Sequence, residues 1–369
     1  MTQLSDPPAD GVHRVAVVGL GKLGQLLVER LLRRRDTRLV GVVDADPAKA
    51  GRRLDDVLGR ETGLGLEVSD SLEGVRDADV ALVATTSRLS DVAPVLEQAA
   101  SLGLDAITIC EEAVYPWREF PALSERLDAA AREHGVSILG CGSNPGFLMD
   151  VLPLVCTLGL ERVEKVTIRR SLDMRPHRPE RLTRFALGRT LEEFGALDPA
   201  TLVGHVGFTQ SMHCLADVLG WPLDETHEAG VRPAVIAAEE RQGAFFTVRP
   251  GTVAVIEHCA WARLGGEKVI DIAMYFGFHD AGDEVGHGDR YEITATDQSV
   301  SLRVEPSWGP FATTPSTVVN LLPSVRASAP GLLSVVDFPV RRLAARGRDV
   351  IDRGPLRAEN HLASLAGQA

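Results

Sequence analysis

The chain has 369 residues, of which 44% are hydrophobic and 24% charged, and it carries a formal net charge of -12. That length allows two domains, each able to bury its own core. The acidic balance, with 39 basic residues scattered among 51 acidic ones, excludes a nucleic-acid surface. Five cysteines, at 110, 141, 156, 214 and 259, show no CxxC pairing and leave an odd count, which fits a reduced, cytoplasmic protein without a metal site.

Residues 1–11 are expected to form a disordered lead. The opening MTQLSDPPADGVH is polar and proline-containing, with neither a basic nor an apolar stretch of a signal peptide, and no later run reaches membrane-spanning length. From Val12, short apolar runs alternate with helical segments. HRVAVVGLG precedes a helix over about Leu23 to Arg34, and TRLVGVVDADP and ADVALVATTS precede one near Val92 to Leu102. DAITICEE precedes a helix near Pro121 to Glu133, and VSILGCG closes the series. The cluster Arg33-Arg34-Arg35 falls where cations oppose the first helix dipole, so it reads as a solvated helix end. Strands separated by helices call for parallel strands with right-handed crossovers, a Rossmann-type doubly wound sheet over residues 12–150.

After about Leu154 the texture changes. Longer strand-like stretches appear, such as ERVEKVTIRRSLDM, KVIDIAMYFGFH and RYEITATDQSVSLRVEP, several alternating with period two. Helical segments near Thr190 to Phe194, Thr209 to Leu219 and Ser316 to Ala327 lie between or after them. Residues 151–340 therefore read as an α+β substrate and oligomerisation domain with a largely antiparallel sheet, and 341–369 as a C-terminal tail.

Gly19, Gly21 and Gly24, with Lys22 and Leu23 between them, form GxGxxG at a strand-to-helix junction. Glycines suit this place because the turn is tight, a pyrophosphate must approach the backbone, and the helix must pack on the strand. Asp44 follows 20 residues after Gly24, at the end of the second strand. An acid there bonds the ribose hydroxyls of NAD and repels a 2'-phosphate, whereas Lys49, Arg52 and Arg53 nearby leave NADP open. Capping of the following turn by Asp44 or Asp46 is the simpler alternative.

Ligands of open α/β sheets bind outside the carboxyl ends of the strands. Four segments are expected there: Gly19 to Gly24, Thr85-Thr86-Ser87, Cys110 to Tyr115, and Gly140 to Asn144. Glu111 and Glu112 end an apolar strand in this set. Neighbours on an extended chain point to opposite sides, so one acid faces a pocket and the other pairs or meets water. A desolvated glutamate beside a cofactor has a raised pKa suited to proton transfer. Asn144 and Pro145 read as N-cap and first residue of a helix, and equally as contacts to cofactor or substrate. Arg175 or Arg178 is available to a substrate carboxylate, although a solvated face explains both.

The segments ATTSRL (84–89), TICEEAVYPW (108–117), GCGSNPGFLMDVLPL (140–154), TLEEF (190–194), HVGFTQSM (205–212), RPGTVA (249–254) and NLLPSVRASAPGLLSVVDFP (320–339) together resemble the 2,4-diaminopentanoate dehydrogenase family. The family includes native NAD(P)-dependent amine dehydrogenases, and its first domain is similar to that of dihydrodipicolinate reductase. The resemblance implies oxidative deamination of a small amine or diamino acid to a ketone and ammonia, reversible as reductive amination. A homodimer is expected because a long antiparallel sheet in the second domain would otherwise expose a face. The resemblance also implies a glutamate of the EE pair as acid/base. A similar strand in a broader dehydrogenase class ends Cys-Glu-Lys-Pro with a catalytic lysine, an offset that favours Glu112. Tyr115, Asn144, His205 and Arg178 become substrate-side candidates, and Thr85, Thr86, Ser87, Asn144 and Pro145 cofactor-side ones. Ala186-Leu187-Gly188-Arg189 before TLEEF and VIEHCAW after RPGTVA depart from the family pattern, which points to a different amine. The alternatives are an imine reductase, against which stands the lack of the paired-histidine and lysine motif of dihydrodipicolinate reductases, and a dinucleotide-binding sensor without turnover.

Overall fold

The computed structural model describes residues 11–75 and 77–338, and the chain divides into two compact units. The first takes the residues up to Gly146 and those from Thr314 on; the second is Phe147–Thr313. Most of the expected lead and all of the expected tail lie outside the described residues.

In the first unit β1 (His13–Val18), β2 (Thr37–Val43), β3 (Val68–Ser69), β4 (Val80–Val83), β5 (Asp105–Thr108) and β6 (Ser137–Gly140) alternate with helices. These are α1 (Lys22–Leu31), α2 (Leu54–Leu58), α3 (Leu89–Ser101) and α4 (Pro121–Glu133). The strands read as near-continuous apolar runs because helices cover both faces of a parallel sheet. Val15, Val17, Leu82 and Ile107 have no exposed surface, and burying each such side chain contributes ~1.5–3 kcal/mol. Pro121, at the first position of α4, supplies the helical φ without costing a hydrogen bond. The basic cluster lies beyond α1, where Arg34 pairs with Asp36.

The second unit contains α5 (Val151–Thr157), β7 (Val163–Asp173), α6 (Pro179–Arg184), α7 (Leu191–Gly195) and α8 (Phe208–Leu219). There follow β8 (Glu225–Glu228), β9 (Arg232–Ile236), the small hairpin β10 (Arg241–Gln242) with β11 (Thr247–Val248), and the long strands β12 (Val253–Leu264) and β13 (Glu267–Gly277). β14 (Gly288–Ala295) and β15 (Ser299–Val304) complete it. The main sheet runs β15-β14-β7-β13-β12-β8, with β9 also on β12. Only β7 and β13 pair in parallel; the other neighbours are antiparallel. This is the α/β plus α+β architecture expected from the pattern. At its centre Arg170 and Asp289, both without exposed side-chain surface, meet at 3.1 Å. Ser307 donates to Asp289 at 2.6 Å, and the Trp308 carbonyl accepts from Arg170 at 2.8 Å, so the buried charges are compensated.

Two last elements are α9 (Pro310–Arg326) and β16 (Gly331–Leu333). β16 pairs in parallel with β6, giving the first sheet the order β16-β6-β5-β4-β1-β2-β3. Residues 331–333 thus belong to the first sheet, whereas the sequence pattern had placed them in the second domain. A three-residue strand whose partner lies almost 200 positions upstream leaves no local pattern. Arg326 secures the return by donating to Asp105 at 2.6 Å, while the same carboxylate accepts the Ser137 N–H at 2.6 Å. No helix among the described residues is long and apolar enough to cross a membrane.

Candidate active site

The turn after β1 is a backbone construction. Gly19 has φ +90, and a Cβ there would stand 2.5 Å from the Ala84 carbonyl oxygen. A Cβ on Gly24 would stand 1.8 Å from the Gly19 oxygen, so neither position admits a side chain. Gly21 differs: a Cβ would meet nothing within 4 Å, which leaves open space at the start of α1. No side chain caps that helix, so its first N–H groups remain available to an anion. Lys22 is exposed and Leu23 half-buried beside them. These features fit the pyrophosphate of a dinucleotide.

Asp44, at the end of β2, accepts the Leu20 N–H at 2.7 Å and the Asp46 N–H at 2.9 Å. Lys49 Nζ also approaches it at 2.9 Å. Burial alone would raise the Asp44 pKa, but Lys49 and the two N–H groups outweigh it and hold the carboxyl below its usual range. Asp44 therefore both braces the glycine turn and stands charged at the β2 end.

The ladder continues past the strand ends and draws the expected segments together. Ala84 N–H donates to the Val18 carbonyl, Ile109 N–H to Val83, and Cys141 N–H to Thr108, at 2.7, 3.0 and 2.9 Å. Because β1, β4, β5 and β6 are parallel neighbours, the four segments share one edge of the first sheet. Thr85 is exposed there, and Thr86 and Ser87 are half-buried.

The two glutamates separate in role through a tight turn. Residues Glu111–Ala113 form a 3-10 turn rather than an extended pair. Glu112 is buried; it accepts from the Arg88 guanidinium at 2.6 Å and from the Leu89 N–H at 2.8 Å, at the start of α3. Its own N–H donates to the Ser87 carbonyl at 3.4 Å. Glu111 is half-buried and has no ion-pair partner among the described residues. Burial raises its pKa above the ordinary carboxylate value, with the Ser87 hydroxyl, donating to it, pulling the other way. Glu112 thus has its oxygens committed to structure, and Glu111 holds the perturbed acid.

The remaining expectations meet varied surroundings. Tyr115 is buried and packs edge-on against Trp117, with ring centroids 5.0 Å apart. Asn144 and Pro145 do not start a helix. They are joined by a cis peptide bond within a run of turns, and Gly146, at φ +114, leaves the helical region. The helix begins at Val151, capped by Asp150. Asn144 is half-buried and Pro145 buried at the β6 end, next to Ser143, whose buried hydroxyl finds no hydrogen-bond partner among the described residues. Ser143 and Arg88 were not singled out from sequence: Arg88 shows its use only once α3 stands against the glutamate turn.

In the second unit, the His205 N–H donates to His258 Nδ1 at 2.8 Å and its ring meets Phe208 edge-on. Burial, and then His258, push the His205 pKa down to about 3, so the ring is neutral at physiological pH. Arg178 is exposed and its guanidinium lies over Phe245 at 5.0 Å. Arg175 is engaged by Asp173 and Asp280. Among the described residues no group of His, Cys, Asp and Glu is arranged to hold a metal.

A parallel sheet with a glycine turn at its first crossover and an acid at the second strand end, followed by an α+β unit, defines a dehydrogenase that uses a nicotinamide dinucleotide. Residues 147–352 match the family described as the 2,4-diaminopentanoate dehydrogenase C-terminal domain, and the chain belongs to that family. It is 28% identical over 343 residues to the 2,4-diaminopentanoate dehydrogenase of Acetoanaerobium sticklandii, covering 92% of this chain and 97% of that one. An amine dehydrogenase of Streptomyces virginiae is 24% identical over 355 residues, covering 89% and 97%. The solved amine dehydrogenase of Mycobacterium smegmatis superposes with a TM-score of 0.71 at 27% identity, over 90% of this chain and 97% of that one.

Proposed function

We propose that the protein oxidatively deaminates a small amine or diamino acid of the 2,4-diaminopentanoate type to a ketone and ammonia, with reductive amination as the reverse reaction. The observation that carries this is Glu111: a desolvated carboxyl with a raised pKa and no cation paired to it, on the strand edge that also bears the glycine turn. NAD is the preferred cofactor, because the charged Asp44 suits ribose hydroxyls. Gly19, Gly21, Lys22, Leu23, Gly24 and Asp44 would hold its adenosine and pyrophosphate, with Thr85, Thr86, Ser87, Asn144 and Pro145 toward its nicotinamide. When bound, the cofactor supplies a two-electron acceptor for hydride from the amine-bearing carbon.

Glu111 takes a proton from the substrate ammonium, freeing the nitrogen lone pair that stabilises the iminium, and releases that proton to solvent. As a carboxylate again it deprotonates the water that adds to the iminium carbon, passes that proton to the departing nitrogen, and takes the hydroxyl proton as the carbon–nitrogen bond breaks, leaving ketone and ammonia. A carboxylate beside the iminium also stabilises its charge. Glu112 serves as a positioning residue, holding Arg88 and the start of α3. This assignment reverses the lean toward Glu112 drawn from the Cys-Glu-Lys-Pro offset. Tyr115, Asn144, His205 and Arg178 remain the proposed substrate-side residues, His205 as a neutral imidazole.

A homodimer is proposed through the exposed face of the second sheet. A hollow of about 350 Å³ there is lined by Arg169, Arg232, Glu257, Lys268 and Asp271, and mixed charges of this kind can meet their own copy across a two-fold axis. The function is tested by incubating the protein with NAD or NADP and a panel of amines and diamino acids, including 2,4-diaminopentanoate, and measuring reduced cofactor and ammonia. Stoichiometric appearance of both with one amine is expected. Binding of the dinucleotide without turnover on any amine would favour the sensor alternative.

A further inference from the structure

The Asp44 carboxylate is more heavily engaged than a ribose-binding acid requires. Two backbone N–H groups and the Lys49 ammonium already use it, and Lys49 also lies 3.6 Å from Asp46. The Asp44 side chain is 11% exposed and that of Lys49 26%. The acid is therefore screened by a cation on its solvent side. An unscreened carboxylate would repel a phosphate on the adenosine ribose; here Lys49 offsets one of the two charges of Asp44 and Asp46, and it reaches solvent on a flexible stem.

A nearby cation offsets the remaining carboxylate charge. Arg53 pairs with Asp55 at 3.2 Å, and exposed Arg52 donates to the Ala48 carbonyl at 3.3 Å, without an acidic partner among the described residues. The Glu67 carboxylate lies beyond Gly51, 4.0 Å from where a Cβ on that glycine would stand. The turn from Asp46 to Arg53 thus offers one ammonium held by acids and one guanidinium bonded only to a carbonyl.

Resting on the reading of this unit as a nicotinamide-dinucleotide site, we propose that Lys49 sets the selectivity between NAD and NADP. With two ribose hydroxyls present, Lys49 stays on Asp44; with a 2'-phosphate present, it leaves Asp44 and, together with Arg52, binds the phosphate. The chain then accepts both dinucleotides, with NAD favoured, and Lys49 specifically supports the phosphorylated one.

The test is calorimetric titration of the full-length protein, without amine, by NAD and NADP separately. In Lys49→Met the NADP affinity should fall by about tenfold or more, as expected for loss of a charged phosphate contact. NAD affinity should stay within about twofold, since Asp44 keeps its backbone donors. Lys49→Arg should restore NADP binding, and a thermal melt checks that each variant is folded. An unchanged ratio in Lys49→Met, equal loss of both dinucleotides, or failure of arginine to rescue would overturn the assignment. Failure of the unmodified protein to bind either dinucleotide would overturn the cofactor reading itself, and this inference with it.

Discussion

In the first sheet every neighbouring pair runs parallel and helices cover both faces, so Asp44, Ser87, Glu111 and Glu112 gather beyond its carboxyl ends. In the second sheet charged side chains lie along the strands themselves: Arg169 meets Asp271 at 2.9 Å, Arg232 pairs with Glu257, and Arg170 and Asp289 are sealed inside. These charges on the second sheet are cancelled in pairs. At the strand ends of the first, Lys49 pairs with Asp44 and Arg88 with Glu112, whereas the adjacent Glu111 accepts from the Ser87 hydroxyl and makes no ion pair among the described residues. A carboxyl whose oxygens are bonded to a guanidinium and a backbone N–H is committed to structure; one that is desolvated outside an ion pair has a raised pKa, which suits proton exchange.

The largest effect should come from removing that exchangeable proton. Glu111→Gln is expected to lower turnover by ~10²–10⁴-fold, the usual worth of a general acid/base, while dinucleotide affinity measured by calorimetry stays unchanged. In the second unit, Asp289→Ala leaves Arg170 as a buried cation without its acid and should cost ~3–5 kcal/mol in denaturant unfolding. Glu112→Ala is milder: exposed Arg88 turns to water, and the main loss is the partner of the buried Leu89 N–H, ~1–3 kcal/mol by the same measurement. Retention of full stability in Glu112→Ala would erase the distinction between the two glutamates.

Ser87→Ala should be smallest in rate and most informative in pH. The hydroxyl stabilises the ionised form of Glu111, so its loss raises the Glu111 pKa further. The acid limb of the turnover profile, where the base becomes protonated, should move to higher pH. No movement of that limb would place the titrating group elsewhere.

The first unit was largely legible because its signals are local. Apolar runs bounded by glycines marked the strands, Pro121 marked the start of α4, and the spacing of Gly19, Gly21 and Gly24 marked a turn whose atoms tolerate nothing larger at two of the three places. The illegible parts depend on distant partners. The start of α3 is fixed by Glu112, 23 residues downstream of Leu89, and β16 acquires its identity only against β6. The EE pair was legible as a candidate site, but alternation of side chains on an extended strand was the wrong local geometry. The 3-10 turn, together with Arg88, decides which acid is committed. The helix start expected at Asn144 failed on Gly146, whose positive φ directs the chain away from the helical region.

The most direct measurement is absorbance at 340 nm during amine oxidation by the unmodified protein, Glu111→Gln and Glu112→Gln, at saturating dinucleotide. The account predicts cofactor reduction by the unmodified protein, near-silence from Glu111→Gln, and substantial rate from Glu112→Gln. Near-native rate in Glu111→Gln, with loss in Glu112→Gln, would contradict it and return the proton to the buried glutamate.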